Sequence, residues 1–219
     1  MNTLNIPGLK GLTAGNVYCI GRNYAAHAKE LGNAIPDEPL LFTKPSVSLT
    51  TDGKILIPPF VHNPHYEVEV VVAIGTKGKN IPKEQAWSHT AGIGLGIDVT
   101  ARDLQDALKK EGKPWFIAKG LDTFAPISPF LPANALNLDE PIHFFLDING
   151  QRRQTGDTSL MLFPIPRLIS EISRYVTLLP GDLLFTGTPE GVGPLNDGDR
   201  LYAKCYHGQI ALNATVSFL

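Results

Sequence analysis

Two glutamates one residue apart, Glu67 and Glu69, lie inside the apolar run PHYEVEVVVAI over 64–74. Strand alternation puts both carboxylates on one face and Tyr66, Val68, Val70 and Val72 on the other. Positions i and i+2 of a strand stand roughly 6.5 Å apart. That is close enough for unshielded like charges to repel and well spaced to grip a hard cation. The polar face of a surface strand would look the same, so the pair needs a third partner. Asp98 is the next acidic residue in an apolar stretch, closing AGIGLGID before the helical pattern TARDLQDALKK. An aspartate at such a junction often serves as an N-cap, but Thr100 is competent for that task and leaves Asp98 without it. Three carboxylates make an all-oxygen site suited to Mg2+ or Mn2+. Neither a twelve-residue calcium loop nor the His and Cys spacings of zinc sites occur.

Other residues could do chemistry beside such a site. His27 and Glu30 stand three apart on one face of a short helical segment, where the carboxylate can orient the ring and raise its basicity, or where the two form an incidental polar pair. That segment runs into the proline-punctuated GNAIPDEP, so 23–37 is a candidate lid. Lys119 sits among Trp115, Phe116, Ile117 and Ala118 and suits anion binding or proton transfer, unless it snorkels to the surface. Arg102 and Gln105, also three apart, could hold a substrate carboxylate or simply face solvent. Lys44 in FTKPS carries the same ambiguity. The segment FTGTPEGVG lacks the G-K-[ST] ending of a phosphate loop, which argues against nucleotides, although Thr188 and nearby amides could still bind an anion. His62, His65, His89, His143 and His207 show no metal-ligand spacing and are assigned to the surface or to supporting positions.

The elements that must position these groups are mostly short strands. The chain carries 21 Gly and 18 Pro, which mark many turns. NVYCIG, ILIP, EVEVVVAIG, GIGLGID, LLFTG, RLYAKCY and QIALNATV read as strands. IHFFLDI and QRRQTG form a hairpin across Asn149-Gly150, a strong turn signal. Helices are expected after Asn23 as cap with Gly32 as terminator, after Pro82, after Asp98, and over PIPRLISEISRYV, where Ile165, Leu168, Ile169 and Ile172 share one face. Strands outnumber helices without regular alternation, which predicts an α+β fold of mixed, rolled sheets.

At 219 residues and 43% hydrophobic content, the chain can bury a large core as one domain. A net charge of −2 argues against nucleic-acid or membrane-surface partners. Two cysteines, Cys19 and Cys205, cannot build a disulfide framework and are expected as buried thiols. No apolar run approaches membrane-spanning length, and a cytoplasmic location is expected.

With those residues collected, the chain resembles the fumarylacetoacetate hydrolase family, in its short acylpyruvase-like branch. The resemblance is carried by GRNYAAHAKELG (21–32), LFTKPS (41–46), HYEVEVVVAIG (65–75), GIDVTARDLQ (96–105), KPWFIAKGLD (113–122) and LLFTGTPEGVGPLNDGD (183–199). It implies a single catalytic domain over 1–219 with a mixed, barrel-like β-roll core, usually paired as a homodimer. Glu67, Glu69 and Asp98 would hold Mg2+ or Mn2+, His27 and Glu30 would form a water-activating dyad on a lid, and Lys119 would be an active-site cation. Lys44, Arg102, Gln105 and Thr188 would line the substrate pocket. The implied activity is metal-dependent cleavage of an acylpyruvate, such as fumarylpyruvate or acetylpyruvate, into pyruvate and a carboxylic acid. The alternatives are oxaloacetate decarboxylation or keto-enol tautomerisation at the same metal, and, more remotely, a non-catalytic module that binds dicarboxylates through the metal.

Overall fold

The structure is a computed structural model that describes residues 4–30, 32 and 34–219, apart from the side chain of residue 207. A six-stranded sheet runs in the order Leu131–Pro132, Thr90–Ile97, Val68–Ile74, Leu183–Phe185, Val17–Gly21, Leu40–Lys44. Its pairings are antiparallel except that Val17–Gly21 runs parallel to Leu183–Phe185. A five-stranded sheet orders Gln151–Asp157, His143–Ile148, Arg200–Cys205, Ile210–Phe218 and Lys54–Ile57, with only the last pair parallel. The two sheets meet where Ile210–Phe218 and Arg200–Cys205 pack against Thr90–Ile97. The fold is thus α+β, with mixed sheets rolled about a common core, and the strand pairings among the described residues do not close into a ring.

The central strand Val68–Ile74 is buried on both faces. Val68, Val70, Val72 and Ile74 enter the larger core with Ile93, Leu95, Ile97, Leu146 and Leu168, while Val71 and Ala73 join a smaller cluster with Cys19, Phe130 and Phe185. Alternation therefore assigned the faces correctly, but both faces are interior. The expected single strand is also broken at Glu67: Pro64–Tyr66 leaves to pair with Thr100–Ala101 and Gly193–Pro194. Small residues in GIGLG serve close packing, since a Cβ on Gly96 would lie 2.5 Å from the Phe185 ring.

The hairpin at Asn149-Gly150 is present, with both residues at positive φ (52° and 78°), as its tight turn requires. Helix Ile165–Tyr175 buries Ile165, Leu168, Ile169 and Ile172. The segment after Pro82 is a 3₁₀ helix, Lys83–His89. Two capping expectations fail. Helix Arg102–Lys110 begins after Ala101 with no side-chain cap, and the Thr100 hydroxyl donates to the Asp98 carbonyl instead. Asn23 does not cap Ala25–Glu30. Its amide donates to the carbonyls of Phe163 and Thr186, and its oxygen accepts from the Phe163 amide, pinning the start of the helix to two distant segments. Cys19 and Cys205 are buried and unpaired.

Candidate active site

Strand register brings the carboxylates together. Val68 pairs with Ile97, so Glu67 and Asp98 are the next residues across the ladder, and the Asp98 amide donates to the Glu67 carbonyl at 2.8 Å. One oxygen from each of Glu67, Glu69 and Asp98 lies within 4.8 Å of the others, and all three side chains are buried.

Cations surround them. The Lys119 ammonium, at the end of helix Phe116–Lys119, donates to Glu67 Oε2 at 2.8 Å and to Asp98 Oδ2 at 2.6 Å. Arg102 donates to Glu67 Oε1 and, through its other terminal nitrogen, to Gln105 Oε1. Lys44 Nζ stands 2.7 Å from Asp98 Oδ1. Its hydrogen bonds, however, go to the carbonyls of Val99, Lys119 and Phe124. The Lys44 ion pair, together with Lys119 on Oδ2, holds the Asp98 carboxylate between two ammonium groups. Glu69 accepts from the Gly187 amide at 2.7 Å, in a loop where Gly187 has φ of 98° and sits against Asn23.

The protonation states follow from this crowding. Burial works against the Glu67 charge, yet Lys119 and Arg102 outweigh it and hold its carboxyl well below the ordinary range. Glu69 goes the other way: burial first, then the Asp98 charge, pushes it well above that range despite the Gly187 hydrogen bond. Lys119 is raised because Asp98 and Glu67 overcome its burial, whereas burial and the Lys119 charge lower Lys44. His27 is lowered, chiefly by burial, with Glu67 and Glu30 opposing.

This donor set fits a divalent cation. It offers oxygen ligands only and keeps in Glu69 a carboxylate whose charge is penalised until a cation relieves it. Lys44, Lys119 and Arg102 pair with Glu67 and Asp98, and their three charges balance the trio once Glu69 ionises on taking up a cation. A divalent ion would leave the centre doubly positive and attractive to an anionic guest.

A narrow cavity opens beside the trio, and eight expected site residues line it: His27, Glu67, Glu69, Asp98, Arg102, Gln105, Lys119 and Thr188. Arg102 and Gln105 are buried in its wall and not exposed on a helix face. Thr188 donates to the Val68 carbonyl and accepts from Gln154, each at 2.8 Å. Lys44 does not line the cavity; it lies behind Asp98. Glu30 is also outside the lining, 3.5 Å from His27 Nδ1 and bonded to the Gly191 amide at 3.1 Å. Residues 31 and 33 of the expected lid lie outside the described residues, as does the His207 side chain. His62, His65, His89 and His143 are absent from the cavity wall.

Gln154 went unnoticed in sequence. It reaches over from the hairpin to accept from the Val68 amide and to donate to Thr188 and Pro189, tying the five-stranded sheet to the site. A buried glutamine in the exposed-looking run QRRQTG carries no signal that would have singled it out.

Residues 16–217 match the family described as Fumarylacetoacetate (FAA) hydrolase C-terminal. The chain belongs to the fumarylacetoacetate hydrolase family. Among its relatives in this family is the oxaloacetate tautomerase FAHD1, mitochondrial, of Arabidopsis thaliana, 46% identical over 188 residues, or 85% of this chain and 84% of that protein. The human oxaloacetate tautomerase FAHD1, mitochondrial, is 40% identical over 202 residues, covering 92% and 91%. The crystal structure of fumarylpyruvate hydrolase from Pseudomonas aeruginosa in complex with Mn2+ and pyruvate superposes with a TM-score of 0.90 at 37% identity, covering 99% of this chain and 96% of that one. These relatives are enzymes. The mitochondrial tautomerases overturn the expectation of a cytoplasmic location. Free thiols and near-neutral charge suit any reducing compartment, so composition held no address.

Proposed function

We propose that this chain uses Mg2+ or Mn2+, held by Glu67, Glu69 and Asp98, to cleave acylpyruvates into pyruvate and a carboxylic acid. The observation that carries the reading is the convergence of three buried carboxylates on a cavity that also contains His27. When bound, the ion supplies a Lewis acid that draws electrons from the carboxylate and keto oxygen of a 2-oxo acid. His27, kept neutral by burial, takes a proton from water as the water oxygen bonds to the distal carbonyl carbon. Glu30, braced by the Gly191 amide, orients the ring and steadies its charge once protonated. The bond between that carbon and the pyruvate methylene then breaks, and its electron pair leaves as pyruvate enolate, which the Lys119 and Arg102 charges stabilise until a proton arrives. Segment 23–37 acts as the lid, anchored at Asn23.

A second reading rests on the tautomerase relatives: with oxaloacetate, the same residues support keto-enol exchange or loss of CO2 without an attacking water. A homodimer is supported by exposed Val47, Phe116 and Ile117 near the edge strand Leu40–Lys44, beside an apolar groove. The deciding experiment assays the purified protein with Mn2+ or Mg2+ against acetylpyruvate, fumarylpyruvate and oxaloacetate, following pyruvate, CO2 and enol absorbance separately. Chelator-sensitive pyruvate release from an acylpyruvate supports the first reading. Enol exchange alone supports the second, and no turnover refutes both.

A further inference from the structure

The ladder between Leu183–Phe185 and Val71–Ala73 stops short of the carboxylates, although strand Val68–Ile74 continues toward them. Side chains take over from there. The Val70 carbonyl accepts from the Thr186 amide and hydroxyl at 3.2 and 2.8 Å, the Val68 carbonyl accepts from the Thr188 hydroxyl at 2.8 Å, and the Val68 amide donates to Gln154 Oε1 at 2.9 Å. The Gly187 amide turns to Glu69 Oε2 instead of to the strand. Further along, the Gly191 amide donates to both oxygens of Glu30, at 3.1 and 3.2 Å. The stretch 186–191 thus grips a carboxylate of the trio at one end and the partner of His27 at the other.

Strand Gln151–Asp157 fixes that stretch. Gln154 is buried there between exposed Arg153 and Thr155. Its Nε2 donates to Thr188 Oγ1 at 2.8 Å and to the Pro189 carbonyl at 2.9 Å, so both of its protons are used. The Val68 amide can only donate and the Pro189 carbonyl only accept, which leaves one orientation for the side-chain amide. Beside it, the Gly191 backbone packs on the Arg153 carbonyl, and with a φ of 91° a Cβ there would collide with that oxygen. Burying an amide is costly unless its bonds are made, and these bonds go to the loop and to Val68, the residue between Glu67 and Glu69.

We infer that Gln154 is a positioning residue that couples the carboxylate centre to the lid dyad: by locking 186–191 against Val68, it holds Glu69 and Glu30 at the two ends of one rigid stretch. The inference rests on the proposed roles of Glu69 as metal ligand and Glu30 as partner of His27. Its consequence is that loss of this one amide disturbs both ends at once, although Gln154 does not line the cavity.

The test compares the wild type with Gln154→Met, an unbranched replacement of similar length that makes none of the three bonds. At saturating Mn2+, kcat for acylpyruvate hydrolysis should fall about tenfold to a hundredfold at nearly constant KM, because Arg102, Gln105 and Lys119 keep their places. Glu30→Gln and the double variant complete a cycle: since Gln154 acts through Glu30, the double variant should be no slower than the slower single one. Mn2+ affinity by calorimetry should weaken about tenfold to a hundredfold in Gln154→Met, as the support of Glu69 loosens. Amide exchange in the metal-free protein needs neither turnover nor metal: Gly187 and Gly191 should lose protection together in Gln154→Met, while Leu183, whose amide donates to the Asn16 carbonyl outside the loop, keeps it. Kinetic losses that multiply in the double variant, an unchanged Mn2+ affinity, or Gly187 and Gly191 amides as protected as in the wild type overturn the inference. Should Gln154→Met not fold, Gln154→Glu carries the same measurements, since it keeps an acceptor for the Val68 amide and loses at least one of the two donated bonds. If the wild type neither cleaves an acylpyruvate nor binds Mn2+, the proposed function fails, and amide exchange alone decides the coupling.

Discussion

Replacing Lys119 with methionine keeps the length of the side chain and removes one of the three charges that balance the carboxylate trio. The ammonium lies 2.8 Å from Glu67 and 2.6 Å from Asp98. At an effective dielectric of about 20, each contact represents about 6 kcal/mol of attraction before desolvation is subtracted. Breaking a buried ion network by deleting one partner costs about 3–5 kcal/mol net, because the remaining charges stay buried and unpaired. For a chain of this size, about 2–4 °C of melting temperature accompany each kcal/mol, so Lys119→Met in EDTA should melt about 6–20 °C below the wild type. A solution cation can then take over. Mn2+ at a hundred times its dissociation constant restores about 2.7 kcal/mol, and the variant, carrying one unbalanced carboxylate, should reach its full Mn2+ response at lower concentration than the wild type. Thermal unfolding followed by circular dichroism, with EDTA and across a Mn2+ series, reads both quantities. A variant that melts like the wild type in EDTA, or that does not respond to Mn2+, would refute the charge-balance reasoning.

Replacing His27 with glutamine should reduce acylpyruvate hydrolysis about a hundredfold to ten-thousandfold while reducing oxaloacetate tautomerisation far less; stopped-flow assays of both substrates check this, and equal losses would deny the ring its task of activating water. Because burial lowers His27 below the ordinary histidine value of 6.5, its neutral form persists into mild acid, so the acid limb of a kcat/KM profile for hydrolysis should fall below pH 6.5 and vanish in the glutamine variant. Asn23→Ala strips partners from three buried backbone groups, the Phe163 amide and the carbonyls of Phe163 and Thr186. At about 1–3 kcal/mol for each unsatisfied group, the loss should be at least about 3 kcal/mol, measured as a lower urea midpoint at unchanged m-value.

What could be read from the residues alone was local or patterned. The E-x-E spacing and its apolar neighbours located two carboxylates, and the small-residue strand ending in Asp98 located the third. The amphipathic helix Ile165–Tyr175 and the Asn149-Gly150 hairpin announced themselves by period and turn chemistry. The features missed depend on partners remote in sequence. Asn23 looked like a helix cap because its neighbours suit one, whereas its bonds go 140 and 163 residues away. Gln154 bridges 86 residues back to Val68. Lys44 was ambiguous from its own neighbours and was placed in the pocket only by the family resemblance; the carbonyls of Val99, Lys119 and Phe124 draw its ammonium behind Asp98. The break at Glu67 was invisible because alternation reports the facing of side chains and carries no information on when a strand changes its partners.

The central claim is that Glu67, Glu69 and Asp98 hold one divalent ion. Isothermal titration of Mn2+ into the chelator-stripped protein, repeated on Glu69→Gln and Asp98→Asn, tests it most directly. The account predicts one ion per chain for the wild type and an affinity weakened by at least about tenfold to a hundredfold in each variant. Absence of uptake by the wild type, or the same stoichiometry and affinity in both variants, would contradict it.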